Sequence, residues 1–93
     1  MILEVAVLQV KKRMNSEFEQ NFEKASLIIT SIKGYINHQL KKCIEKENQY
    51  ILLVNWETLE DHEIGFRKSE QYKEWKTLLH HFYEPFPEVL HYS

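Results

Sequence analysis

The stretch Gln49–Trp75, QYILLVNWETLEDHEIGFRKSEQYKEW, decides the fold. Its first part, Gln49–Glu57, is apolar on both sides of a two-residue alternation: Tyr50, Leu52, Val54 and Trp56 against Ile51 and Leu53. That pattern predicts a strand covered on both faces. Thr58 followed by Asp61 is a helix-start signal, and Leu59, His62 and Phe66 fall on one side of the short helix it opens. Ser69 opens another helix, with Tyr72, Trp75, Leu79 and Phe82 as its apolar stripe.

Upstream, Glu45-Lys46-Glu47-Asn48 reads as a charged turn joining this strand to a more polar one, Tyr35–Ile44. On that strand Ile36, His38 and Leu40 share one face, and Tyr35, Asn37, Gln39 and Cys43 the other. Ser16 with Glu19 forms a capping-box pattern that starts an earlier helix. Its stripe is Phe18, Phe22, Ala25, Ile29 and Ile32, Glu19 lies on its wet side, and Gly34 is placed to end it at the C′ position. Ile2–Val10 is a first strand, with Leu3, Val5 and Val7 on one face and Ile2, Ala6, Leu8 and Val10 on the other. Downstream, Glu84-Pro85-Phe86-Pro87 stops the last helix, and Glu88–Tyr92 forms a short final strand.

The order is β-α-β-β-α-β with the second helix broken in two, the ferredoxin-like split arrangement of an α+β fold. Right-handed crossovers place the helices on one face of a four-stranded antiparallel sheet. The first and third strands are apolar on both faces, so the open side of the sheet needs cover. A second copy packed sheet to sheet in a two-fold homodimer supplies it.

Composition sets the remaining bounds. Ninety-three residues, 43% hydrophobic and 28% charged, form one domain spanning residues 1–93. A formal charge of −2 gives no general attraction to nucleic acid or anionic membranes. The single cysteine, Cys43, permits no intrachain disulfide. Ile2–Val10 lacks the flanks of a signal peptide, and no apolar run reaches transmembrane length, so the cytosol is the expected location.

The arrangement Trp56-Glu57, Glu60-Asp61-His62, Phe66-Arg67, Ser69, Trp75, Phe82, Pro87 and His91-Tyr92 resembles the antibiotic biosynthesis monooxygenase (ABM) domain family. The resemblance spans most of the chain and is strongest from Tyr50 to Tyr92. It implies a small dimeric α+β barrel with a pocket between sheet and helices in each subunit. Members of the family include cofactor-independent monooxygenases of polycyclic phenols, quinol monooxygenases and haem-degrading enzymes. In the phenol-oxidising members an Asn stands four residues before the strand-three Trp and a Tyr six after it. Here those positions are Leu52 and His62, so Trp56 alone matches. In the haem-degrading members a Trp precedes the last helix's Ser by three and a His follows it by seven. Here Phe66 and Lys76 stand there, which disfavours haem degradation.

His62 is the candidate catalytic base, because an imidazole titrates near neutrality and can accept a phenolic proton. Trp56, Phe66, Tyr72, Trp75 and Tyr35 are the candidate substrate-binding residues, with Trp56 as a flat wall for an aromatic ligand. His80 and His81 are adjacent on a helix and point about 100° apart, so they do not chelate one ion, and no metal site is expected. The faces of His38, His81 and His91 are left open. No phosphate loop or dinucleotide fingerprint occurs, so no cofactor is expected. The expected activity is cofactor-independent oxygenation of a small electron-rich aromatic, a quinol or polycyclic phenol. The alternatives are a non-catalytic hydrophobic-ligand-binding or stress-response barrel protein, or an isomerase on the same fold.

Overall fold

Residues 1–93 are described by a computed structural model. The strands are β1 (Ile2–Gln9), β2 (Tyr35–Lys42), β3 (Gln49–Trp56) and β4 (Val89–Tyr92), and the α-helices are α1 (Asn15–Ile29) and α2 (Glu70–Leu79). A π-helical turn, Asp61–Phe66, precedes α2, and a 3-10 turn, His80–Phe82, follows it. The sheet order is β2-β3-β1-β4, with every neighbouring pair antiparallel. Both helices lie on one face, as the ferredoxin-like reading requires.

The core forms where the α1 stripe meets the even-numbered side chains of β1 and β3. Phe18, Phe22, Ala25 and Ile29 of α1 are buried against Ala6, Leu8, Tyr50, Leu52, Val54 and Trp56 of the sheet. Trp75 and Leu79 of α2, with Phe66 and Phe82 on either side, close the other half of this layer. Each such side chain contributes on the order of 2 kcal/mol by leaving water, before chain entropy is subtracted. The opposite face holds Leu3, Val5, Ile51 and Leu53, all partly exposed, and Val7 and Leu90, 40% and 46% exposed.

Several local expectations differ from the structure for identifiable reasons. Helix α1 begins at Asn15, and Ser16 lies within its first turn without capping it. Glu19 accepts a 2.5 Å hydrogen bond from the buried Tyr50 hydroxyl, which Asn15 also contacts at 3.0 Å. That network ties α1 to β3. The helix stops at Ile29, where the Thr30 and Ser31 hydroxyls donate back to the Leu27 and Ile28 carbonyls. Gly34 is therefore no helix C′ residue. It leads into β2 with φ 87°, and its carbonyl accepts from the Glu57 amide at 2.8 Å.

Strand β2 ends at Lys42, and its alternation is broken by a register shift between Tyr35 and Asn37. The extra residue, Ile36, turns outward and leaves Tyr35 on the same side as His38. Ser69 caps α2 as expected, accepting from the Tyr72 amide at 3.1 Å, and Thr58 accepts from the Asp61 amide at 3.1 Å. The helix after Thr58 widens into the π-turn, in which the Arg67 amide donates to the His62 carbonyl at 3.0 Å. His62 and Phe66 stay inward in this turn, and Leu59 is left 37% exposed.

A Cβ on Gly34 would overlap the Asp61 carboxylate, and its φ lies in the left-handed region. Gly34→Ala is expected to destabilise the fold by about 1 to 3 kcal/mol, read as a lower denaturant midpoint with an unchanged slope.

Candidate active site

Between the sheet and α2 lies a cavity of about 400 Å³, within the range of small-ligand sites. Ala6, Leu8 and Leu52 form its floor, and Phe66, Trp75 and Phe86 contribute apolar walls. Its polar lining comes from Glu4, His62, Arg67, Tyr72, His80 and Tyr83. Glu4 and His62 are the only polar or charged residues of the chain that are fully buried, at 6% and 3% exposure.

Glu4 shares the helix-facing side of β1 with Ala6 and Leu8, and its cross-strand partner on β4 is His91. The Trp56 indole N–H donates to Glu4 Oε1 at 2.9 Å, and His62 Nε2 lies 3.3 Å from the same oxygen. His62 Nδ1 is 2.8 Å from His91 Nε2, and His91 Nδ1 is 3.7 Å from Glu63 Oε1. The His62 ring stacks on Trp56 with centroids 5.2 Å apart and planes 18° apart. Stacking on Trp56 and the hydrogen bond with His91 together fix the imidazole plane. Every buried polar side-chain atom has a partner, so Glu4 Oε2, which makes no hydrogen bond, is not sealed from solvent, and Glu4 lines the cavity.

Burial decides the charge of both groups. It raises the Glu4 pKa above the ordinary carboxylate value, against the lowering effects of the Trp56 hydrogen bond and the Arg67 guanidinium. It lowers the His62 pKa from 6.5 to about 3, assisted by the positive charge of Arg67 and by His91. The pair is therefore a 3.3 Å contact with a neutral imidazole, not an ion pair. Burial also raises the Tyr72 pKa and lowers that of His80.

The sequence candidates separate into two groups. His62, Phe66, Tyr72 and Trp75 line the cavity. Trp56 does not: it is fully buried behind the His62 ring and holds Glu4 in place. Tyr35 is also away from the cavity, because the β2 bulge turns it toward His38, 2.5 Å from hydroxyl to Nδ1, and edge-on to Trp56. Of the undetermined histidines, His91 meets His62, His38 packs against Phe22, and His81 is exposed. The sequence reading missed Glu4, Arg67, His80 and Tyr83 as cavity residues. Glu4 had a usable signal, since it falls on the same face of β1 as Ala6 and Leu8, where an acid is rarely buried without a partner.

The family described as antibiotic biosynthesis monooxygenase matches residues 1–78. An uncharacterized protein of Bacillus subtilis, YczJ, is 54% identical over 93 residues, covering 100% of this chain and 98% of that one. A proposed antibiotic biosynthesis monooxygenase of Bordetella bronchiseptica superposes with a TM-score of 0.94 at 29% identity, covering 99% of this chain and 94% of that chain. SnoaB, a cofactor-independent oxygenase of Streptomyces nogalater, shares the fold with a TM-score of 0.82 at 19% identity, covering 99% and 90% of the two chains. This chain belongs to the antibiotic biosynthesis monooxygenase family. No helix in it is long and apolar enough to cross a membrane.

The lowered His62 pKa has a definite sign in stability. The unfolded imidazole binds a proton below about 6.5, whereas the folded one resists it until about 3, so folding stability falls as pH drops through that window. The expected slope from this one group is up to about 1.4 kcal/mol per pH unit. Urea unfolding of His62→Gln from pH 7 to pH 4 is expected to lack that component.

Proposed function

We propose that the protein is a cofactor-independent oxygenase of a small electron-rich phenol or quinol, bound in the cavity above Leu52. The observation that carries this reading is a buried carboxylate, Glu4, that lines an aromatic-walled cavity, with one oxygen against Trp56 and His62 and the other making no hydrogen bond. Both ring nitrogens of His62 already face protein partners, so the proton acceptor toward substrate is Glu4, with His62 as the group that answers it. A carboxylate that is costly to ionise in this environment is a stronger base once ionised. Arg67, the cation of the cavity lining, stabilises the phenolate formed there.

Deprotonation makes the ring carbon electron-rich enough to attack dioxygen. For an anthrone-type substrate, one oxygen atom becomes the new carbonyl and the other leaves as water with the two methylene hydrogens. The protein supplies orientation and the base. Membership of a family that shares its fold with a cofactor-independent oxygenase supports this chemistry.

The working unit in this proposal is a homodimer in the cytosol, formed through the open face of the sheet. Leu3, Val5, Val7, Ile51, Leu53 and Leu90 give that face an apolar surface that a second copy would cover. Sedimentation at micromolar concentration is expected to give twice the 11.3 kDa chain mass. A single-chain mass would remove the dimer.

Aerobic incubation with a panel of quinols and anthrones is expected to show protein-dependent oxygen uptake, reduced at least about 100-fold in Glu4→Gln. Turnover persisting under anaerobic conditions would assign an isomerase instead. Ligand-dependent thermal stabilisation without oxygen uptake would assign a binding protein.

A further inference from the structure

We propose that His91 and Glu63 complete, with Glu4 and His62, a proton relay that connects the cavity to solvent. The inference rests on reading the cavity as the place where a substrate proton is removed, and it assigns the route by which that proton leaves. Glu4 on β1, His62 and Glu63 on the π-turn, and His91 on β4 form a line of contacts at 3.3, 2.8 and 3.7 Å. Glu4 and His91 approach opposite nitrogens of the His62 ring, so the four groups make a chain and not a shell around a common centre. Glu4 is buried at the cavity end, His91 is half-buried, and Glu63 is exposed. The remaining titratable neighbours, Arg67, Tyr72 and Tyr83, line the cavity end and take neither ring nitrogen of His62.

The alternation carboxylate, imidazole, imidazole, carboxylate has two complementary hydrogen-bonded states. In one, Glu4 carries the proton and donates to His62 Nε2, His62 Nδ1–H donates to His91 Nε2, and His91 Nδ1–H faces the Glu63 carboxylate. In the other, every proton has moved one step outward: Glu4 is a carboxylate, both imidazoles carry their hydrogen on Nε2, and Glu63 holds the proton until water takes it. One proton leaves Glu4 and one arrives at Glu63, and neither imidazole becomes charged at the end states. The second state restores Glu4 as a base. The outer contact, 3.7 Å, is longer than a hydrogen bond, and the relay requires rotation of the exposed Glu63 side chain to close it. Burial holds His62 neutral, which suits a group that passes a proton without retaining it.

The test has two independent arms. Long-range proton–nitrogen NMR on histidine-labelled protein reads the ring tautomers without substrate. As pH rises through the ionisation of Glu4, His62 and His91 are expected to switch together from Nδ1–H to Nε2–H. In Glu4→Gln both are expected to stay Nδ1–H. Rings that switch at different pH values, or a His91 that does not follow His62, would overturn the relay. In the kinetic arm, Glu63→Gln, a change at an exposed position, is expected to lower kcat at least about tenfold with KM unchanged. Added imidazole buffer is expected to restore it. A kcat equal to wild type and independent of buffer also overturns the relay. Concerted tautomer switching in a protein that consumes no oxygen with any quinol or anthrone would instead retire the oxygenase reading and leave the relay standing.

Discussion

A carboxylate removed from water must be held by other groups, and much of this structure follows from how Glu4 is held. Its position on β1 puts it among Ala6 and Leu8, facing the helices, where an unpartnered charge would cost several kcal/mol. The Trp56 N–H and the His62 ring share the burden at one oxygen. Trp56 can do so because β3 ends beside the start of β1, with Trp56 paired to Ile2 in the ladder. His62 can do so because the π-turn carries it over the same end of the sheet. Strand register, helix entry and site geometry are thus set by one local requirement for hydrogen bonds in a dry environment.

The same requirement explains why large aromatics in this region have unlike duties. Phe66, Tyr72 and Trp75 surround open space, whereas Trp56 stands one layer behind and acts through its N–H and its ring face. Residue type does not distinguish these duties, because cavity walls and cores draw on the same side chains. Position relative to Glu4 does.

Much of the fold was legible in the sequence. The strand at Gln49–Trp56, the α1 stripe and the Ser69 cap each rest on a periodicity or a local hydrogen bond that propagates directly into structure, Tyr50, Leu52, Val54 and Trp56 forming the buried side of that strand. The helix end near Ile29 was not legible, because Thr30 and Ser31 terminate it through their own hydroxyls, and Gly34 serves a later turn. The bulge at Ile36 was hidden because alternation assumes an unbroken ladder, and it reversed the side on which Tyr35 lies. The candidate site was half legible. His62 stood out by residue type, but its partners Glu4 and His91 lie 58 and 29 positions away and meet it only through sheet register.

The π-turn between Thr58 and Ser69 gives this region an unusual relation between length and content. A π-turn holds one residue more per hydrogen-bonded loop than an α-helical turn, so removing one residue would let Asp61–Phe66 tighten into ordinary helix. Five residues of π-turn span about the same rotation as four of α-helix, so the residues beyond the deletion would keep their faces. The spacing of His62 and Phe66 would instead fall from four residues to three if the residue lost lay between them, although no residue of the cavity had been exchanged. The segment therefore acts as a molecular spacer. Its exposed positions Ile64 and Gly65 can absorb changes of side chain, whereas a change of count alters the spacing of His62 and Phe66.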